Sequence, residues 1–272
     1  MRLEALREQY LDQPWEVSLE TFAKCNAACT FCPYPTLDRI GTKLPDALMW
    51  RLVDEMSEWT IPFGFCPFKV NEPLLDKRLM PLLERVEAQT IAGIRVFTNG
   101  HALNWGWLED LNRLDRLKVL WVSLNSHEPD VYAKLMSLPF DRVAKNLDVL
   151  HESDFVHPVV VSRVGLDPKF ERYVFDRWPK FTCVIIKKDG WLGYTDPHNP
   201  EVPDTPCSRW FEMSIMANGR VALCCMDGKG EFEIGDLNKQ TMLDVYNTPS
   251  WRHRREMMIS RKEVYPCSTC TY

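Results

Sequence analysis

The residues best equipped for chemistry stand in Cys25-Asn26-Ala27-Ala28-Cys29-Thr30-Phe31-Cys32, where three thiols share one short loop at C-x3-C-x2-C spacing. Thiolate is the soft ligand that cluster iron prefers, and three thiolates on one loop can hold three corners of a cubane iron-sulfur cluster. The fourth iron then stays open, and an open iron binds and reduces a ligand rather than only passing electrons on. A structural zinc site is the competing reading. It would need a fourth ligand nearby and usually shows paired C-x2-C spacing, which this loop lacks.

A second concentration of sulfur comes late in the chain, at Cys207, the pair Cys224 and Cys225, and Cys267-Ser268-Thr269-Cys270. The N-terminus, MRLEALREQYLDQ, is charged every few residues and has no apolar core, so neither a signal peptide nor a membrane span is expected and the predicted location is cytoplasmic. In that reducing compartment the ten cysteines of the 272-residue chain are not expected to form disulfides, and their clustering favours metal, with a zinc ribbon as the plain alternative for the late group. Cys66 and Cys183 fall in predicted strands and read as buried apolar residues, although an inward Cys183 could donate a hydrogen atom to a radical. Net charge is -5, so no global basic field argues for nucleic acid. The basic cluster Arg252 to Arg255, with Arg261 and Lys262, reads as a solvated helix face.

The elements that must position these groups alternate. After a helix over residues 1 to 12, a strand over Trp15 to Glu20 leads into the cysteine loop, followed by a helix over Asp46 to Trp59 and a strand over Phe63 to Val70. Further strands are predicted at Ile94 to Phe97, Lys118 to Leu124, Pro158 to Val164 and Cys183 to Lys187, with helices between them. Six strands alternating with helices predict an α/β fold with a parallel sheet and right-handed crossovers, whose ligands gather at the carboxyl ends of the strands. The cysteine loop follows the first strand at that end. Past Lys187, glycine and proline punctuate residues 189 to 206, which reads as a linker or lid between residues 1 to 188 and a C-terminal module of residues 207 to 272. On the lid, Trp191, Tyr194, Asp196 and His198 are expected to face the cavity.

With Phe31 before Cys32, the loop resembles the C-x3-C-x-aromatic-C motif of the radical S-adenosylmethionine (SAM) enzymes. The resemblance implies a partial (β/α)6 TIM-like barrel, a 4Fe-4S cluster on Cys25, Cys29 and Cys32, and SAM chelated to its open iron. Reductive cleavage of SAM then yields a 5'-deoxyadenosyl radical that takes a hydrogen atom from the substrate. Asn71-Glu72-Pro73 is similar to the end of the family's Gly-Gly-Glu-Pro motif beside SAM, with Asn71 replacing a glycine. Ser123, Asn125 and Ser162 stand where the family binds the SAM ribose and carboxylate. Thr98-Asn99-Gly100 matches a family turn, though turn chemistry alone could explain it.

The region around Gly219, Cys224 and Ile234-Gly235-Asp236-Leu237 resembles the SPASM or shorter twitch extension, where cysteines ligate an auxiliary 4Fe-4S cluster. The resemblance implies Cys207, Cys224, Cys267 and Cys270 as its ligands, with Cys225 the alternative to Cys224. The layout is similar to that of the 2-deoxy-scyllo-inosamine dehydrogenase type, which oxidises a secondary alcohol. A two-electron oxidation of a small polar alcohol is therefore expected, with Asp196 or Arg163 helping to take the hydroxyl proton and flavodoxin or ferredoxin as electron donor. Peptide maturation and a redox-neutral epimerisation, with Cys183 as hydrogen donor, are the alternatives.

Overall fold

The computed structural model describes residues 2–197 and 199–272. Strands β1 (Glu16–Leu19), β2 (Gly64–Cys66), β3 (Gly93–Thr98), β4 (Leu117–Ser123), β5 (Val159–Val164) and β6 (Thr182–Ile186) pair in parallel in chain order. Helices α1 (Leu3–Tyr10), α2 (Asp46–Ser57), α3 (Leu79–Gln89), α4 (Trp105–Asn112), α5 (Pro129–Met136), α6 (Phe140–Glu152) and α7 (Pro168–Arg177) accompany them. This is the partial (β/α)6 barrel. Strand alternation gives it two faces. Val17, Leu19, Phe65, Ile94, Val96, Leu120, Val122 and Val161 pack outward against Leu52, Val53, Met56 and Leu83 of the helices, and all are fully buried. Each such side chain contributes about 1.5–3 kcal/mol by leaving water.

The inner face carries Glu16, Ser18, Cys66, Arg95, Phe97, Trp121, Ser123 and Ser162, in register across the strands. One strand is shorter than expected: β2 ends at Cys66 instead of running to Val70. Pro67 has no N–H to give to a ladder, and the chain turns there.

Three more strands continue the same sheet. β7 (Glu212–Ile215) lies parallel to β1 on its free edge, from Glu16↔Glu212 to Leu19↔Ile215, and β8 (Arg220–Ala222) and β9 (Glu233–Asp236) follow antiparallel. The order is thus β6-β5-β4-β3-β2-β1-β7-β8-β9. Helices α8 (Met242–Tyr246) and α9 (Pro249–Met257) complete the C-terminal region. A second apolar core joins Leu6 and Tyr10 of α1 to Trp210, Phe211, Trp251 and Val264.

Two members of the basic cluster depart from its reading as a solvated face. Arg255 is fully buried and donates to the Leu11 and Tyr246 carbonyls, and Arg261 is buried and donates to those of Thr205 and Pro206. Arg255 ties the C-terminal region to the end of α1 and Arg261 ties it to residues 205 and 206, each by charge-assisted hydrogen bonds. Among the described residues no helix is long and apolar enough to cross a membrane.

Candidate active site

The Cys25–Cys32 loop leaves the carboxyl end of β1 and is pinned from three sides. Ala28 N and Thr30 N donate to the Met136 and Leu135 carbonyls at the end of α5, and the Cys29 Sγ lies 3.4 Å from Met136 Sδ. From the turn after β3, Asn99 Nδ2 donates to Asn26 Oδ1 at 2.8 Å and lies 3.8 Å from Cys25 Sγ. The third anchor is Glu72, whose own N–H donates to the Lys24 carbonyl. All three thiols are half-buried. Burial pushes Cys25 up to about 12 and Cys32 up to about 11 and raises Cys29 as well, so all three are protonated in the metal-free chain. Binding iron releases those protons.

Glu72 is buried, and both its carboxylate oxygens are taken by the chain: Oε1 accepts from Thr98 Oγ1 at 2.7 Å and from Leu74 N, and Oε2 accepts from Asn99 N at 2.7 Å. It braces the β3 turn under the cysteine loop and caps the helical turn that starts at Pro73. Burial raises its pKa to about 7 against those hydrogen bonds. Asn125 is a brace too. Held at φ 63, it accepts from Val164 N through Oδ1 and points Nδ2 at Met136 Sδ, 3.1 Å away. Ser162 is buried and accepts from Trp121 Nε1 at 2.7 Å, with Ser123 beside it on the inner face. Asn71 Oδ1 accepts from Lys69 N, but Asn71 Nδ2 is buried with no acceptor among the described residues. That orphaned donor, on a segment tied to the cysteine loop through Glu72 N and the Lys24 carbonyl, suits a carboxylate-bearing ligand such as SAM.

The late cysteines also converge. Cys207, Cys224, Cys267 and Cys270 line one cavity with Leu192, Arg209, Trp210, Met226, Arg261 and Tyr272. Cys225 does not line that cavity; its ionisable neighbours are Arg209 and Glu212, followed by Lys69 and Cys207. Burial raises the thiols of Cys207 and Cys224, the former to about 11, while Arg261 pulls Cys207 down. Four thiols on the lining of one cavity, with the Arg209 and Arg261 guanidiniums on its wall, are a donor set whose chemistry suits an anionic cluster.

Two expected residues are placed elsewhere. Cys183 pairs with Val161 and faces the helix layer, where Glu171 of α7 is its charged neighbour, so it does not look into the barrel. Arg163 alternates with Ser162 and likewise turns toward α7: it pairs with Asp167 at 3.1 Å, lies over the Phe170 ring and donates to the Asn125 and Gly165 carbonyls. In both cases period two decides the face. Asp196 is exposed on the segment after β6, and His198 lies outside the described residues. Trp191 packs against Tyr34, Leu37 and Val70 alongside Cys25 and Cys32. Phe31 is half-buried against the main core. Sequence reasoning passed over Asn99 as a turn residue and gave Arg39 and Lys69 no role. Both cations are buried between the two cysteine sets.

Residues 19–174 match the radical SAM superfamily, and residues 207–271 match the iron-sulfur cluster-binding SPASM domain. The chain belongs to the radical SAM superfamily and carries a C-terminal SPASM extension, so its cofactors are SAM and two iron-sulfur clusters. No curated protein matches it. Among solved structures, it is similar to BtrN in complex with AdoMet and 2-DOIA, with 16% identity, a TM-score of 0.64 and coverage of 95% of this chain and 93% of that one. It is similar to Streptococcus suis SuiB bound to the precursor peptide SuiA, with 15% identity, a TM-score of 0.71 and coverage of 98% and 72%. A third is anSMEcpe with bound AdoMet, with 15% identity, a TM-score of 0.64 and coverage of 90% and 82%. At these identities the likeness is one of fold.

Proposed function

We propose that this radical SAM enzyme oxidises a small polar alcohol of sugar or aminocyclitol type by two electrons. In this reading Cys25, Cys29 and Cys32 hold the SAM-binding 4Fe-4S cluster, and Cys207, Cys224, Cys267 and Cys270 hold the auxiliary one. The carrying observation is the cavity on which four thiols converge while Cys225 stays off it. Four protein ligands leave no open iron for substrate, which suits the second centre to taking an electron. When bound, SAM and its cluster supply the hydrogen-abstracting radical, and the auxiliary cluster supplies the place for the remaining electron. One hydrogen atom and one electron leave the substrate, and the hydroxyl proton goes to a base.

The chain's own residues suit such a substrate. Phe68, Phe97 and Trp121 stack along the inner wall with centroids 5.7 and 5.3 Å apart, a surface for the C–H face of a ring. The inner face also carries the Glu16–Arg95 and Arg209–Glu212 ion pairs, which offer hydrogen bonds to hydroxyl or amino groups. Asp196, exposed on the segment after β6, is the proton acceptor in this reading. With Cys183 turned outward, epimerisation loses its expected hydrogen donor. A cytoplasmic location and a flavodoxin or ferredoxin donor belong to the same reading.

The test is stoichiometric. Oxidation predicts one SAM spent per oxidised product, and a Cys207→Ala variant that still cleaves SAM but yields little product. A product of unchanged oxidation state carrying a solvent-derived hydrogen overturns the oxidation, and turnover restricted to a peptide overturns the substrate class.

A further inference from the structure

Between the two cysteine sets lies a buried network of four charges. Arg39, seven residues past Cys32, donates to Glu20 at 2.6 and 3.2 Å and to the carbonyls of Gly228 and Lys229, both at 2.9 Å. Glu20, at the end of β1, also accepts from Ala217 N at 3.2 Å. Lys69, on the turn after β2, donates through Nζ to the Asp227 carbonyl at 2.8 Å and the Cys224 carbonyl at 3.3 Å. The Asp227 carboxylate in turn accepts from the N–H groups of Leu223, Gly230, Glu231 and Phe232, at 2.9 to 3.3 Å, and so shapes the whole loop that carries Cys224.

Burial works against the charge of Lys69, and the Asp227 and Glu20 carboxylates nearby offset that cost and favour the ammonium. A loop could satisfy two carbonyls with water, whereas here two cations from the barrel reach across to hold it.

We propose that Lys69, together with the Arg39–Glu20 pair, is a positioning device that fixes the Cys224 loop against the barrel and raises the reduction potential of the auxiliary cluster. This rests on the assignment of that cluster to Cys207, Cys224, Cys267 and Cys270. The physical reason is direct: reduction adds negative charge to the cluster, and a fixed cation beside a ligand's own backbone stabilises the reduced form. Lys69 also sits two residues before Asn71 and its N–H donates to Asn71 Oδ1, so the segment after β2 and the loop that carries Cys224 are tied together.

The experiment uses the full chain with Cys25, Cys29 and Cys32 changed to Ala, so that only the auxiliary cluster remains, and reads its midpoint potential by spectroscopic titration and its iron content. If that background holds no cluster, the ligand assignment fails before the inference is reached. Given the cluster, Lys69→Met should lower the midpoint potential or selectively reduce auxiliary iron, and Lys69→Arg should restore both. Unchanged potential and iron content in Lys69→Met overturn the proposal. If Lys69→Met fails to fold, Lys69→Gln decides: it keeps N–H donors for the carbonyls but removes the charge, and an unchanged auxiliary potential overturns the proposal as well.

Discussion

At the scale of residues, the thiols are legible from the sequence because spacing alone brings Cys25, Cys29 and Cys32 onto one loop. What spacing cannot give is direction and occupancy. Cys183 and Arg163 sit on the expected strands, but alternation turns them into the helix layer. Glu72 stands where the motif puts it, yet its oxygens hold Thr98 and Asn99. Its burial gives a pH signature. The folded-state pKa is raised from 4.5 to about 7, so the folded chain binds this proton more tightly than the unfolded chain. The contribution is fully present below the unfolded value and is lost as pH rises through 7, amounting to roughly 3 kcal/mol. Urea unfolding of the metal-free chain at about pH 4 and about pH 8 should show this loss, and Glu72→Gln should remove that part of the difference. An identical pH dependence in the variant would show that the carboxyl is not buried as described.

Among elements, the strands and helices of the barrel follow their periodicity closely, since each has one apolar face. The segment after β6 has none, and its role was legible only as a break in texture. In the structure it forms a wall between the two cysteine sets: Trp191 packs beside Cys25 and Cys32, and the next residue, Leu192, lines the cavity of Cys207, Cys224, Cys267 and Cys270. Both residues have left-handed backbone, φ 47 and 54, a conformation disfavoured for large side chains and kept only where the surroundings enforce it. A wall next to a radical site keeps out water and stray hydrogen donors. Trp191→Ala should therefore raise the ratio of 5'-deoxyadenosine to product several-fold, measured by chromatography of both. An unchanged ratio would remove the segment from the site.

For the whole molecule, the pairing of β7 with β1 could not be read from the chain, because parallel partners nearly two hundred residues apart leave no local signal. It makes β1 an interior strand, between β2 and β7, and sets the first cysteine loop directly beside the C-terminal region. The two-centre reading is tested most directly by counting iron and sulfide in anaerobically purified protein. It predicts about eight of each per wild-type chain. With Cys25, Cys29 and Cys32 changed to Ala together, the count should fall to about four and 5'-deoxyadenosine formation should be abolished. A colourless zinc protein, or a triple variant that still cleaves SAM, would contradict it.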